Sequence, residues 1–227
     1  MELEFTTTAC NRPEILYQTY KSYTSKLKGI DFKKSTLYIN IDPAPNNDNI
    51  MNVIHVAKYF FGNVVYNIPE TPNFAEAVLW CFNQVKGEFF FHLEDDWILR
   101  KEININDMIK ILNKGNYLQC ILNKKSNIEP FEPAFIPSLF RTKVLKFYLS
   151  LMNNESNPEA QIKNIYRNNL YNIRKYVSIN FKTNIELSHD IGRAWLKKKG
   201  LKRDYDKHRD SSIKSKNWTP WTTWTYS

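Results

Sequence analysis

Long hydrophobic runs are missing from this chain. The apolar stretches are as short as Phe89-Phe90-Phe91, so no segment can cross a bilayer as a helix, which takes about 20 apolar residues. The opening Met1-Glu2-Leu3-Glu4 has neither a basic n-region nor an apolar h-region, which predicts no secretory signal and a cytoplasmic protein. Cysteine is scarce. Cys10, Cys81 and Cys120 are too few and too scattered for a disulfide framework or a zinc cluster, and are expected as reduced, partly buried thiols. Internal repeats and Gly/Ser- or Pro-rich linkers are also absent, so one compact domain is the default.

What is present suits a globular chain. Its 227 residues can bury a full core without a structural metal. Hydrophobic residues make up 42% and charged residues 24%, which excludes a disordered or fibrous chain. Charge is unevenly placed. Residues 1–100 hold nine Lys/Arg against twelve Asp/Glu, and the remainder holds 23 against eleven, so the two parts carry −3 and +12. That asymmetry predicts an anion-facing C-terminal part.

The first 120 residues alternate between strand and helix patterns. Leu3–Thr8 is rich in β-formers and is stopped by Asn11-Arg12-Pro13, where Pro13 suits the first turn of a helix. Leu37–Ile41 is a second strand ending at Asp42, Met51–Phe61 a helix, and Val64–Asn67 a third strand. Phe74–Val85 has helical spacing, Gly87 ends it, and Glu88–Leu93 is an aromatic strand running into Glu94-Asp95-Asp96. Tyr117–Leu122 reads as one more strand, and Thr142–Met152, Glu159–Tyr176 and Asp190–Lys199 as helices. This order predicts an α/β fold, a mostly parallel sheet with helices on both faces. Ligands of such sheets bind beyond the carboxyl ends of the strands, where three of the strands carry polar signatures: Cys10-Asn11-Arg12, Asp42 and Glu94-Asp95-Asp96.

Three carboxylates directly after an apolar strand repel one another unless a cation sits among them. A hard divalent ion, Mg²⁺ or Mn²⁺, completed by phosphate oxygens, is the natural partner. The plainer alternative is a solvated acidic turn capping a helix.

The ordered set of segments resembles the GT-A-fold glycosyltransferases of the family-2 kind, small virus- or phage-encoded members in particular. Thr8-Ala9-Cys10-Asn11-Arg12-Pro13 looks like their first loop, Ile39-Asn40-Ile41-Asp42 like their second strand, and Pro72-Asn73-Phe74-Ala75-Glu76-Ala77 like the helix before their metal strand. Glu94-Asp95-Asp96 stands where their DxD motif would, with Glu in place of the first Asp. The sequence departs from the pattern at Pro43-Ala44-Pro45 and in lacking glycines after Asn73. The resemblance implies a metal-dependent enzyme using Mn²⁺ or Mg²⁺ and a nucleoside-diphosphate sugar, with inversion at the sugar an expectation from the family alone. It implies donor contacts from Ala9, Asn11, Arg12, Asp42, Asn73, Glu94 and Asp95, and metal ligation by Asp96, Glu94 and His189. It divides the chain into a catalytic domain, 1–192, with a nucleotide-binding half (1–100) and an acceptor half (101–192), and a basic, Trp-rich extension (193–227). If the gene is viral, the setting is the host cytoplasm.

The acceptor hydroxyl must lose a proton, a task for a carboxylate. Glu159, which follows Asn157-Pro158 at a helix start, holds the family's chain position for that base, with Asp190 in reserve. Each also has a plain structural reading, Glu159 as a helix-dipole partner and Asp190 as an N-cap. Arg12 either meets a phosphate or lies exposed at a helix start, and His189 either completes the metal site or neighbours a cap. Pro130–Arg141 is too Pro-rich for a helix interior and reads as an acceptor-side wall or a packed surface loop.

Residues 193–216 hold ten Lys/Arg against three Asp, followed by Trp218, Trp221 and Trp224. This tail docks on the core, contacts the donor, or binds nucleic acid with cations for phosphates and aromatics for bases. In the last case the acceptor would be a modified base in DNA, unstacked for reaction. Two other functions fit the same residues: a Mg²⁺-dependent nuclease or nucleotidyltransferase built on the acidic cluster, and a non-catalytic nucleic-acid-binding protein.

Overall fold

The computed structural model describes residues 1–43, 50–122, 132–168, 177–181, 185–199, 201–203 and 224–226. In chain order the elements are β1 (Glu4–Cys10), α1 (Pro13–Lys26), β2 (Leu27–Lys28), β3 (Thr36–Asp42), α2 (Met51–Phe60), β4 (Asn63–Asn67), α3 (Phe74–Gln84), β5 (Phe89–Glu94), β6 (Trp97–Leu99) and β7 (Ile103–Asn104). The second half adds α4 (Ile105–Asn113), β8 (Tyr117–Ile121), β9 (Ser138–Arg141), α5 (Thr142–Leu149), α6 (Pro158–Arg167), β10 (Val177–Asn180), β11 (Ser188–Asp190), α7 (Gly192–Lys198), β12 (Leu201–Arg203) and β13 (Trp224–Tyr226).

Seven strands form the central sheet in the order β10-β8-β9-β5-β1-β3-β4. All neighbours pair in parallel except β9, which runs against both β5 and β8. The expected α/β architecture is therefore present. Alternation along β5 shows how the sheet is sandwiched. Phe89, Phe91 and Leu93 join the cluster formed with Leu16, Tyr20, Ile54 and Met108, on the side of α1, α2 and α4. Phe90 joins Val78, Phe82, Leu145 and Ile162, on the side of α3, α5 and α6. A strand buried on both faces has to be apolar at successive positions, which is why β5 reads Phe-Phe-Phe.

Two predicted segments need correction. Ser138–Arg141, within the stretch read as a wall or surface loop, is a buried inner strand: Leu139 and Phe140 are fully buried, and Phe135 before them is too. The helix expected from Asp190 begins at Gly192, because Ser188–Asp190 is spent pairing antiparallel with Trp97–Leu99. The three cysteines form no disulfide, as expected. Among the described residues no helix is long and apolar enough to cross a membrane.

Candidate functional site

The register of the sheet sets the site. Cys10 lies opposite Asp42 and Thr8 opposite Glu94, so the carboxyl ends of β5, β1 and β3 finish side by side. The loops leaving them carry Asn11-Arg12, Pro43 and Asp95-Asp96. Chain reversal after β1 is tight: Arg12 N–H donates to Cys10 O at 2.7 Å, and Pro13 opens α1 at once. That turn sends the Arg12 side chain inward, against Asp95 and Asp96.

Arg12 is fully buried, which corrects the reading of an arginine exposed at a helix start. Its Nη2 donates to Asp95 Oδ1 at 2.6 Å and to Asp96 Oδ2 at 3.1 Å, and its Nε donates to Asp95 Oδ2 at 3.2 Å. Asp95 is held further by Cys10 N–H at 3.0 Å, and its main-chain oxygen accepts from Thr19 Oγ1 at 2.8 Å. The cation among the carboxylates is therefore a guanidinium. Burial opposes the charge of Arg12, but Asp95 and Asp96 outweigh it and hold its proton more firmly than usual. Burial pushes the Asp95 carboxyl up and Arg12 draws it down. Burial prevails, so the Asp95 carboxyl stands above its usual range, while the guanidinium keeps its proton.

A late segment closes over this group. Ile191 N–H donates to Asp96 O at 2.8 Å, and Gly192 lies against the Asp96 carboxylate with no room for a β-carbon. The Arg12 guanidinium carbon stands 5.5 Å from the centre of the Trp195 ring, whose Nε1 donates to Glu14 Oε1 at 2.8 Å. Ile15, Trp195 and Leu196 form a small apolar cluster of their own there.

Asp42 occupies the next strand end and is only 7% exposed. Asn40 Nδ2 donates to it at 2.9 Å, and Asn67 Nδ2 supports the Asn40 oxygen at 2.7 Å. Burial raises the Asp42 carboxyl to about 7, against the lowering effect of Asn40 and of the Asn73 backbone N–H. The Asn73 side-chain oxygen caps α3 by accepting from Ala75 and Glu76 N–H, and its Nδ2 donates to Asn154 O.

The other expected residues are placed as follows. Ala9 and Asn11 are buried, Ala9 at the end of β1 and Asn11 just beyond it, and Glu94 is half-buried at the end of β5. His189 comes near in the backbone, opposite Ile98, but its Nδ1 pairs with Glu186 Oε1 at 2.7 Å. The expected trio of Asp96, Glu94 and His189 is not assembled: among the described residues no three His, Cys, Asp or Glu side chains are grouped to hold an ion. Asp190 Oδ1 accepts from Gly192 N–H at 2.9 Å and its Oδ2 meets Arg193 Nε at 3.3 Å, so it caps α7. Glu159, in the first turn of α6, accepts from Phe135 N–H at 3.2 Å. The segment before its helix is tied to the start of α3 through Asn154, whose main-chain oxygen accepts from Asn73 Nδ2 and whose Nδ2 donates to Glu76. Trp218 and Trp221, with most of the basic stretch, lie outside the described residues. The backbone of Trp224–Tyr226 pairs antiparallel with Leu201–Arg203.

Sequence reasoning missed Thr19, Asn40, Gly192 and Trp195 as members of this site. Asn40 had a signal, since it alternates with Asp42 on one face of β3. Thr19 had none, because its partner is 76 residues away.

No family model and no curated protein sequence matches the chain. Solved structures do. S. aureus TarS 1–349 superposes with a TM-score of 0.56 at 12% identity, over 81% of this chain and 59% of that one, and the same segment is solved with UDP. The mannosyltransferase PcManGT from Pyrobaculum calidifontis, solved with GDP-Man and Mn²⁺, gives 0.56 at 10% identity, over 79% of this chain and 55% of that one. The fold is GT-A-like. A putative glucose-1-phosphate thymidylyltransferase from Bacillus anthracis shares it with a TM-score of 0.51 at 13% identity, over 95% of this chain and 98% of that one. The present chain spans 36% of the longer TarS chain.

Proposed function

We propose that the protein is a metal-dependent glycosyltransferase that moves a sugar from a nucleoside-diphosphate donor to an acceptor hydroxyl. One observation carries the reading: the ends of β5, β1 and β3 gather Asp96, Arg12 and Asp42 at one edge of a GT-A-like sheet. TarS on the same fold is solved with UDP, and the mannosyltransferase with GDP-Man and Mn²⁺.

The donor set fits a hard cation. Asp96 and Glu94 offer carboxylate oxygens only, and Mg²⁺ or Mn²⁺ is commonly held by one or two carboxylates with substrate phosphates filling the remaining positions. When bound, such an ion stabilises negative charge developing on the departing diphosphate. In this assignment Asp96 and Glu94 hold the ion, and His189, engaged by Glu186, is left out. Asp42 and Asn11 face the nucleoside. Glu159 takes the proton of the acceptor hydroxyl, while Asp190 serves the fold as a helix cap.

Thermal unfolding with Mn²⁺ and a panel of nucleoside diphosphates and their sugars tests this. The expected result is a rise in Tm that needs both the metal and one nucleotide, because selective binding to the native state stabilises it. No rise with any nucleotide sinks the reading. The likeness to the thymidylyltransferase along nearly the whole of both chains supports a second one, nucleotidyl transfer from a nucleoside triphosphate. Release of pyrophosphate from a triphosphate and a sugar phosphate would select it. DNA as the acceptor rests on the charge of residues 193–216, the tryptophans that follow it and the resemblance to virus-encoded enzymes. Retention of DNA that does not fall with added salt would remove it.

A further inference from the structure

We infer that Arg12 is a built-in counter-ion that yields Asp96 to an incoming divalent cation while keeping Asp95, so that metal binding here is an exchange of one cation for another. The inference rests on the metal reading of Asp96 given above.

The grip of Arg12 is unequal. Asp95 receives two hydrogen bonds from the guanidinium, at 2.6 and 3.2 Å, one to each carboxylate oxygen. It also receives Cys10 N–H, and Thr19 fastens its backbone. Asp96 receives one bond from Arg12, at 3.1 Å, from the same Nη2 that serves Asp95. Forked, charge-assisted pairs are the stronger kind, so the contact with Asp96 is the cheaper one to break. Asp95 is accordingly a positioning residue that anchors Arg12, and the donor contact expected of it from the sequence is replaced by this role.

The guanidinium stays where it is throughout. It is fully buried, cannot lose its proton, and faces Trp195. Its Nη1 is buried without a hydrogen-bond partner among the described residues, so its position is set by Asp95 and the indole. If Asp96 turns away, Arg12 remains neutralised by Asp95, and no unpaired charge is left buried. Two carboxylates, each under a tenth exposed, share this one guanidinium, and a second cation offsets the repulsion between them. Ile191 fixes the Asp96 backbone, so only side-chain torsions change.

The test reads Arg12 and the metal separately. In the full chain, labelled with ¹⁵N-arginine, the Arg12 Nε–Hε resonance is assigned by its loss in Arg12→Lys and followed as Mg²⁺ is added. Binding of Mn²⁺ alone is measured by the electron-spin resonance of the free ion. A saturable shift of the Arg12 resonance is expected in the wild type, and none in Asp96→Asn. Arg12→Gln, relieved of the competitor, should bind Mn²⁺ about threefold or more tightly than wild type, with Arg12→Lys between the two. A resonance that stays still while Mn²⁺ binds overturns the exchange and leaves the metal reading standing. Absence of Mn²⁺ binding by the wild type overturns both. The resonance is read in the wild type, so the exchange stays testable even if Arg12→Gln fails to fold.

Discussion

Gly192 packs directly on Asp96: a β-carbon built at residue 192 would overlap Asp96 Oδ2 and stand 2.7 Å from Cγ. The glycine is required by this close approach between backbone and carboxylate. Gly192→Ala must move either the Asp96 side chain or the corner between β11 and α7. Overpacking of that kind costs about 1–3 kcal/mol. The expected outcome is a lower midpoint in urea together with loss of transfer, because the carboxylate proposed to hold the metal is displaced. A variant with wild-type stability and rate would show that Asp96 is free to turn without consequence.

The ion pair beneath Asp96 carries a larger stability effect. Arg12→Met leaves two carboxylates buried without their guanidinium, and breaking a buried pair from one side costs about 3–5 kcal/mol. The cost should shrink in acid, because Asp95, whose carboxyl burial pushes up, can then be buried as a neutral acid. Urea unfolding of wild type and Arg12→Met at pH 7 and at pH 4 checks both statements. An equal deficit at the two pH values would mean that lost packing against Trp195, rather than charge, sets the penalty.

The strands that build the site were legible because each carries its own local pattern. The β-formers of β1, the alternation ending in Asp42, and the aromatic run of β5 all declare themselves within seven residues. Strand β9 did not. It is four residues long, follows a Pro- and Phe-rich stretch, and is a strand only because β5 and β8 lie on either side of it. The pairing of β6 with β11 was equally hidden, since three residues find partners some ninety positions away. Arg12 shows the same limit at the level of one side chain. An arginine at a helix start is usually solvated, and what buries this one is Asp95, 83 residues later. The sequence showed three carboxylates in need of a cation, but not which cation the fold supplies.

Asp42 gives the molecule a signature in pH. Burial, the largest influence, raises its carboxyl from 3.8 to about 7 in the folded chain. Between those values the folded state binds a proton that the unfolded state has released, so the contribution of Asp42 to stability falls as pH rises through this window and stays low above it. Asp42→Asn keeps an oxygen for Asn40 Nδ2 and never ionises. It is expected to raise the unfolding free energy relative to wild type at pH 8 and to do so much less at pH 4. A difference that is constant with pH would mean that Asp42 does not titrate on folding.

His92 runs the opposite way. It is fully buried, with Nδ1 3.0 Å from Thr6 Oγ1, and burial lowers it from 6.5 to about 3. Between those values the unfolded chain takes a proton that the folded one refuses, so stability is lost as pH falls from 6.5 towards 3. His92→Gln, which can keep the contact with Thr6 but cannot be protonated, should show a shallower loss over that range. Parallel stability curves for the two proteins would contradict the assignment.

The two carboxylates proposed from the sequence for proton transfer can be separated by their effects on rate. Asp190 spends its oxygens on Gly192 N–H and Arg193, and Asp190→Asn still offers an oxygen to Gly192 N–H, so it should lose little stability and keep kcat within about threefold of wild type. Glu159 sits in the first turn of α6, and Asn154 before that helix is tied to Asn73 and Glu76 at the start of α3. Glu159→Gln still offers an oxygen to Phe135 N–H and so preserves the local fold. As the base it should lose about 10²–10⁴ in kcat with the KM for the donor little changed. The reverse pattern, a rate lost with Asp190 and kept with Glu159, would move the base to the strand end beside Asp96 and make Glu159 a support for Phe135.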